Sequence, residues 1–311
     1  MKIMIIGGLG FIGSHLASKL AKNQHSVIII SKTRKKQKNL DVLSNKIKLE
    51  VFDILNEKKL VNSLISNKPD VIIHLAGITS HSKSFEKPIL DINSNAKSTL
   101  LILDNIRKLN LCCRFVLGST FIVVGKPEKL PVTELSPCNP TTLYGANRLA
   151  SEHYCKIYHD VYDIDTVIFR ITNSFGPKEQ VVSNKNAVNY LIYKAHLGHD
   201  ITIFNNGKFF RDLIYVDDVI SGIFTIMRKG KSGNLYWISS GTKTWFRDFG
   251  NILEELTCAK VKYIKSSTYT KKTDVGNFVV SNKKLSKLGW SPKFSLKLGI
   301  KKTLKYFEST N

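Results

Sequence analysis

Residues 141–153 read TTLYGANRLASEH, which sets Tyr144 four places before Arg148 at the start of a helical pattern. Side chains at i and i+4 share a helix face, so the guanidinium falls beside the phenol. A phenol with a pKa near ~10 is a poor base at neutral pH, and a close cation stabilises its phenolate. The pair reads either as an acid/base with its electrostatic partner or as an ordinary aromatic and a surface charge. A second chemical signal lies at the amino end. In IMIIGGLGFIGSHLASKL, Gly7, Gly10 and Gly13, with Phe11 and Ile12 inside the run, join a strand-like segment to a helical one. The first glycine allows a tight turn, the second lets backbone approach a pyrophosphate, and the third lets helix pack on strand. This placement predicts dinucleotide binding.

The end of the second strand decides which dinucleotide. An NAD site has a carboxylate there for the adenosine ribose, about twenty residues after the glycines. Ser31 occupies that place, followed by Lys32 and Arg34, and a serine beside cations leaves room for a 2′-phosphate. The local chemistry tilts from NAD toward NADP. Asp53, before Ile54, ends the third strand within reach of an adenine amino group. Leu75, Ala76 and Gly77 of HLAG end the fourth strand beside the dinucleotide cleft.

Strand-like runs KIMIIGG, HSVIIIS, IKLEVFD, DVIIHLAG, CCRFVLGST and DTVIFRI are interleaved with helical ones, FIGSHLASKLAKN, NEKKLVNSLISN, NSNAKSTLLILDNIRKLN and ANRLASEHYCKIYHDVY. Strands that are apolar throughout, separated by helices, predict a parallel sheet covered on both faces, an α/β doubly wound (Rossmann) fold. Residues 1–170 are expected to form the NAD(P)-binding domain, with parts of 212–240 returning to it. Residues 171–311 are expected to form mainly a smaller α/β substrate-binding domain. SKTRKKQKN and GKPEKLPVTELSPCNPTT read as loops leaving strand ends, where such folds bind ligands.

The 311 residues carry a formal charge of +23, and eight of the 47 basic residues are arginine. Lysines spread along a whole chain, without an RNA-binding aromatic motif or a helix-turn-helix pattern, mark a solvated basic surface and argue against nucleic acid as a partner. No apolar run approaches the ~20 residues of a membrane span. The amino end passes into the glycine loop with no cleavage site, so no signal peptide is expected. Five cysteines without metal-ligand spacing point to reduced thiols, no metal site and a cytoplasmic location.

GGLGFIG, HLAG, Asn95 in NAKSTLLILDN, STFIVVG, YGANR, RITNSFGP and RDLIYVDDV together resemble the extended short-chain dehydrogenase/reductase superfamily, and most closely its nucleotide-sugar epimerases of the UDP-glucose 4-epimerase type. The likeness runs in order through essentially the whole chain, to LGWSPKFSLKLGI. It implies that Tyr144 is the acid/base, that Thr120 shares its hydrogen bond, and that Asn95 belongs to the cofactor site. It also implies a lysine where Arg148 stands. Arginine supplies the charge but cannot give up a proton, and its planar fork is no replica of an ammonium. By the same resemblance Asn173, Arg211 and Lys271 meet the substrate diphosphate, although Asp212 and Asp217 offer Arg211 ion pairs instead. Relatives that remove water across C5 and C6 carry an acid after the catalytic threonine, and here Phe121 and Ile122 follow it. The expected activity is a nucleotide-diphosphate-sugar 4-epimerase working through a 4-keto sugar and a bound nicotinamide. An NADPH-dependent 4-ketosugar reductase is the alternative, and a dinucleotide-binding protein that has lost turnover through Arg148 is a third. A homodimer through helices at 92–109 and 145–162 is also implied.

Overall fold

Apolar β-branched runs have no amphipathic face to offer, so they are stable only when both sides are covered. In the computed structural model, which describes residues 1–40, 46–182, 186–265 and 274–310, they form β1 (Lys2–Ile6), β2 (Ser26–Ser31), β3 (Ile47–Val51), β4 (Val71–His74), β5 (Arg114–Thr120) and β6 (Thr166–Ile171). With the later strand Leu235–Ile238 they make one seven-stranded sheet. Its order is Leu235–Ile238, β6, β5, β4, β1, β2, β3, and every neighbour is parallel. Ile3 pairs with Val27 on one side and Val71 on the other. Because side chains alternate, Ile3, Ile5, Val27, Ile29 and Ile73 enter one core while Met4, Ile6, Ile28, Ile30 and Ile72 enter a second.

The first core is closed by α1 (Phe11–Lys22) through Leu16, Ala17 and Leu20, and by helix Val216–Lys229 through Val219, Ile223 and Ile226. The second is closed by α2 (Glu57–Asn67) through Leu60 and Leu64. Two short helices, α3 (His81–Glu86) and α4 (Pro88–Ile92), lead through a π-turn at Asn93–Lys97 into α5 (Ser98–Lys108), which adds Ile102, Leu103 and Ile106. After β1 the chain winds outward to β2 and β3, then returns across β1 to β4. That reversal opens a crevice beyond the carboxyl ends of β1 and β4, the place where open α/β sheets hold ligands.

Helix α6 (Leu143–Tyr162) begins at Thr142, whose Oγ1 accepts from the Gly145 N–H at 3.1 Å, so the cap fixes Tyr144 in the first turn. Beyond β6 the described residues hold three two-stranded pairs in place of a second large sheet: Asn173–Phe175 with Leu213–Tyr215, Phe210–Arg211 with Thr244–Trp245, and Ile201–Phe204 with Val261–Ile264. Helices Ala187–His196, Phe246–Leu256 and Leu296–Thr310 pack around them. One boundary differs from expectation. Strand β3 ends at Val51, leaving Asp53 in the following turn, where its Oδ1 accepts from the Leu55 N–H at 3.1 Å. Among the described residues no helix is long and apolar enough to cross a membrane.

Candidate active site

A cleft of about 1200 Å³ runs from the glycine loop to the carboxyl-terminal third. At its inner end Gly7 has φ +88°, and a Cβ there would stand 2.7 Å from the Ala76 nitrogen. A Cβ on Gly13 would run into the Gly7 carbonyl oxygen. The Gly10 N–H donates to Gly7 O at 3.0 Å, closing the turn, and no side chain caps the start of α1. The cradle formed by Gly7, Gly10, Phe11, Ile12 and Gly13, with Leu75 and Gly77 opposite, lines the cleft and turns the positive end of α1 toward it.

The residues read as choosing between NAD and NADP stand off that wall, as do Asp53 and Ile54. Ser31 Oγ donates to Thr33 O at 2.9 Å, Lys32 Nζ lies 2.8 Å from Asp53 Oδ2, and Arg34 is exposed. The Lys32 hydrogen bond holds the Asp53 carboxyl below its ordinary range. Lys32 is therefore engaged by Asp53, the carboxylate expected to reach the adenine. Lys36, from the same loop, lines the cleft.

Thr120 ends β5 half-buried, its Oγ1 accepting from the Ile122 N–H at 3.3 Å, and it lines the cleft with Tyr144. Arg148 follows one turn after Tyr144, its guanidinium carbon 6.0 Å from the phenol ring centre. Arg148 is only 3% exposed, which rules out an ordinary surface charge. Its Nη2 donates to Ala76 O at 3.2 Å, while buried Nε and Nη1 have no protein acceptor. Asn95, wholly buried in the π-turn behind the cleft wall, donates from Nδ2 to Ile78 O at 3.2 Å and leaves Oδ1 unpartnered. A Cβ on Gly77 would strike both Asn95 Oδ1 and Arg148 Nη2, so glycine is what admits this polar cluster. Beneath it, His74 Nε2 lies 3.1 Å from Ser98 Oγ, and burial, helped by the Arg148 charge, pushes the imidazole down to about 3.

Sequence reasoning missed the support under Thr120 and Tyr144. Ser119 Oγ donates to Glu152 Oε1 at 2.5 Å, and Arg170 donates from Nε to Oε1 at 2.9 Å and from Nη2 to Oε2 at 2.6 Å, all buried. This ion pair ties the ends of β5 and β6 to α6. Its signal was a glutamate four residues after Arg148, on the helix face turned to the sheet.

At the outer end Asn173 lines the cleft with its Nδ2 buried and unpartnered. Arg211 lies over the Phe209 ring at 5.1 Å and donates to Gly276 O and, at 2.5 Å, to Asp274 Oδ1. The ion pair weighed against a phosphate role thus exists, with Asp274 as partner in place of Asp212 or Asp217. Asp274 is half-exposed on the cleft wall. Asp212 is buried, its carboxylate accepting from Thr172 Oγ1, Ser240 Oγ and the N–H groups of Ser240, Gly241 and Val280. Burial outweighs these donors and raises its pKa to about 6. Lys271 lies outside the described residues. Asn186, Tyr190 and Lys194, which also line the cleft, were missed although their i, i+4, i+8 spacing marks one face of a helix.

A dinucleotide fits the inner end. The glycine cradle leaves room for phosphates close to the backbone, and Arg148 on the cleft wall holds buried donors with no protein acceptor, while the unmatched Asn95 Oδ1 lies behind the wall. Thr120 and Tyr144 present a hydroxyl and a phenol to the same cleft. Phe121, directly after Thr120, supplies no carboxylate.

Residues 3–239 match the NAD dependent epimerase/dehydratase family. The chain is 28% identical to a putative UDP-glucose 4-epimerase of Methanocaldococcus jannaschii over 99% of both chains. Its fold is similar to that of a UDP-glucose 4-epimerase of Thermotoga maritima solved with UDP-glucose, with a TM-score of 0.92 and 28% identity, covering 100% of this chain and 99% of that one. It is similar as well to a UDP-glucuronic acid 4-epimerase of Bacillus cereus in complex with UDP-glucuronic acid and NAD, with a TM-score of 0.88 and 28% identity over 100% of both. Glycine cradle, parallel sheet and matched residues agree: the chain belongs to the NAD-dependent epimerase/dehydratase family of enzymes.

Proposed function

We propose that this enzyme is a nucleotide-diphosphate-sugar 4-epimerase that keeps its nicotinamide dinucleotide bound through turnover. The observation that carries the reading is that Thr120 and Tyr144 face one continuous cleft between the glycine cradle and Asn173 with Arg211, and that no acid follows Thr120. Gly7, Gly10, Gly13, Leu75, Gly77 and Arg148 would hold the dinucleotide, which supplies reversible hydride exchange at the sugar C4 when bound. Tyr144 takes the C4 hydroxyl proton while Thr120 hydrogen-bonds the same oxygen. Arg148 places a fixed charge one turn from Tyr144, its guanidinium carbon 6.0 Å from the phenol ring centre. Asn173 and Arg211 tether the diphosphate while the 4-keto sugar turns over. Tyr144 then returns the proton to the oxygen, now carried on the other face.

NAD is the favoured dinucleotide, because Lys32 is engaged by Asp53 and the Bacillus cereus relative holds NAD. The reductase reading using NADPH retains one support, the absence of a carboxylate at Ser31 with Arg34 exposed nearby. We assign residues 1–170, with the returning strand Leu235–Ile238, to the nucleotide half and the remainder mainly to the sugar-nucleotide half. A homodimer through α5 and α6 is supported by Ile157, Val161 and Tyr162, which α6 leaves 50%, 61% and 47% exposed. Five free cysteines support a cytoplasmic location.

The test is to denature the purified protein, identify any dinucleotide released, and follow UDP-glucose with the native protein by NMR. Retained NAD with conversion to UDP-galactose and no net NADH supports the epimerase. An empty protein that consumes NADPH with a 4-keto sugar nucleotide favours the reductase, and binding of neither dinucleotide refutes both.

A further inference from the structure

We infer that Phe121 selects sugar nucleotides whose C6 carries no charge and so excludes uronic acids, an inference that rests on the epimerase reading above. Phe121 follows Thr120 directly and lines the cleft half-buried. Its ring meets Phe278 edge-on, centroids 5.1 Å apart, and wholly buried Phe278 in turn packs 6.4 Å from Trp237. Three interlocked rings make this a fixed wall. The lining side chains at 118–122 and 171–174 carry no charge.

The turning of the sugar brings C6 against that wall. C4 stays with Thr120 and Tyr144, and C1 stays tethered through the diphosphate, so the ring rotates about the line joining them. Rotation by half a turn exchanges the C3 flank with the C5 and C6 flank. Whichever flank Phe121 occupies, one of the two orientations an epimerase must accept presses C6 toward it. A hydroxymethyl or methyl group loses little there. A carboxylate would be stripped of water beside an aromatic ring whose face is negative, with no cation on that stretch to pair it. An apolar wall also fixes neither orientation by hydrogen bonds, which suits a ring that must present both faces.

The experiment measures kcat/KM of the cofactor-loaded protein for UDP-glucose and UDP-glucuronate, in the wild type and in Phe121→Arg. The expected wild-type preference for UDP-glucose is at least about 100-fold, and the arginine should shrink it at least tenfold by pairing the carboxylate. If Phe121→Arg does not fold, Phe121→Ser removes the ring without bulk, lets water reach the carboxylate, and should shrink the preference as well. A wild-type ratio within about threefold, or a ratio unmoved by either variant, overturns the inference. If the wild type converts neither sugar, the epimerase reading fails while the inference is read from Kd by calorimetry. Tighter UDP-glucose binding by tenfold or more, narrowed in Phe121→Arg or Phe121→Ser, then sustains selection at Phe121, and equal affinities, a ratio unmoved by the variants, or binding of neither, overturn it.

Discussion

Lowering the pH should destabilise this protein through His74. The side chain is wholly buried with Nε2 on Ser98 Oγ, and its pKa is pushed from 6.5 to about 3, first by burial and then by the Arg148 charge. The unfolded chain takes up a proton below pH 6.5 and the folded chain does not, so this contribution is intact above 6.5 and is lost as pH falls toward 3. The gap corresponds to ~5 kcal/mol in full, or ~1.4 kcal/mol for each pH unit inside the window. Asp212 acts in the opposite sense. Its folded pKa of about 6 lies above the ordinary 3.8, so its contribution is complete below 3.8 and is lost as pH rises through 6. The two slopes oppose each other between those values, and the wild-type curve alone is uninformative. The assay is urea unfolding of the wild type and of His74→Gln, which keeps a polar partner for Ser98, at pH 7.0 and 4.5. The stability difference between the two proteins should move by ~2–3 kcal/mol in favour of the variant at the lower pH. Parallel curves would mean that His74 titrates alike in both states and would refute the reasoning.

Tyr144→Phe should lower kcat by ~10²–10⁴ while leaving the Kd for a sugar nucleotide within a few-fold, read by steady-state kinetics and calorimetry. Gly7→Val, placing a side chain at φ +88° and against the Ala76 backbone, should abolish dinucleotide binding as followed by fluorescence; unchanged affinity would remove the cradle from the cofactor site. Glu152→Ala leaves the Arg170 guanidinium, 4% exposed, without its carboxylate and should cost ~3–5 kcal/mol in urea unfolding. A loss under ~1 kcal/mol would mean that the ion pair is dispensable.

The sheet was legible because strands buried on both faces carry unbroken apolar runs, and Ile3–Ile6, Val27–Ile30 and Val71–Ile73 in β1, β2 and β4 are such runs. Gly7, Gly10 and Gly13 were legible because their role is local, a turn between neighbouring elements, and Tyr144 and Arg148 because i and i+4 meet on any helix. What escaped depends on distant residues. Lys32 is engaged by Asp53 from a neighbouring strand end, and Arg211 by Asp274, 63 positions away. No spacing rule reports such pairs. The burial of Arg148 was illegible for the same reason, since it depends on Gly77 leaving room beside Asn95. The carboxyl-terminal third breaks into strand pairs of two to four residues, too short to impose a period on the sequence.

The loop after β5 reaches across the molecule. Val132 donates its N–H to Val279 O and accepts from the Ser281 N–H, each at 2.8 Å, and Asp212 binds Thr172 at the end of β6 together with Ser240, Gly241 and Val280. These ties cross between the sheet and the segment carrying Phe278. The mechanical consequence is that the two sides are laced together, so swinging them apart as hinged jaws would break these hydrogen bonds. On the epimerase reading proposed above, the sugar would turn between walls joined by these ties.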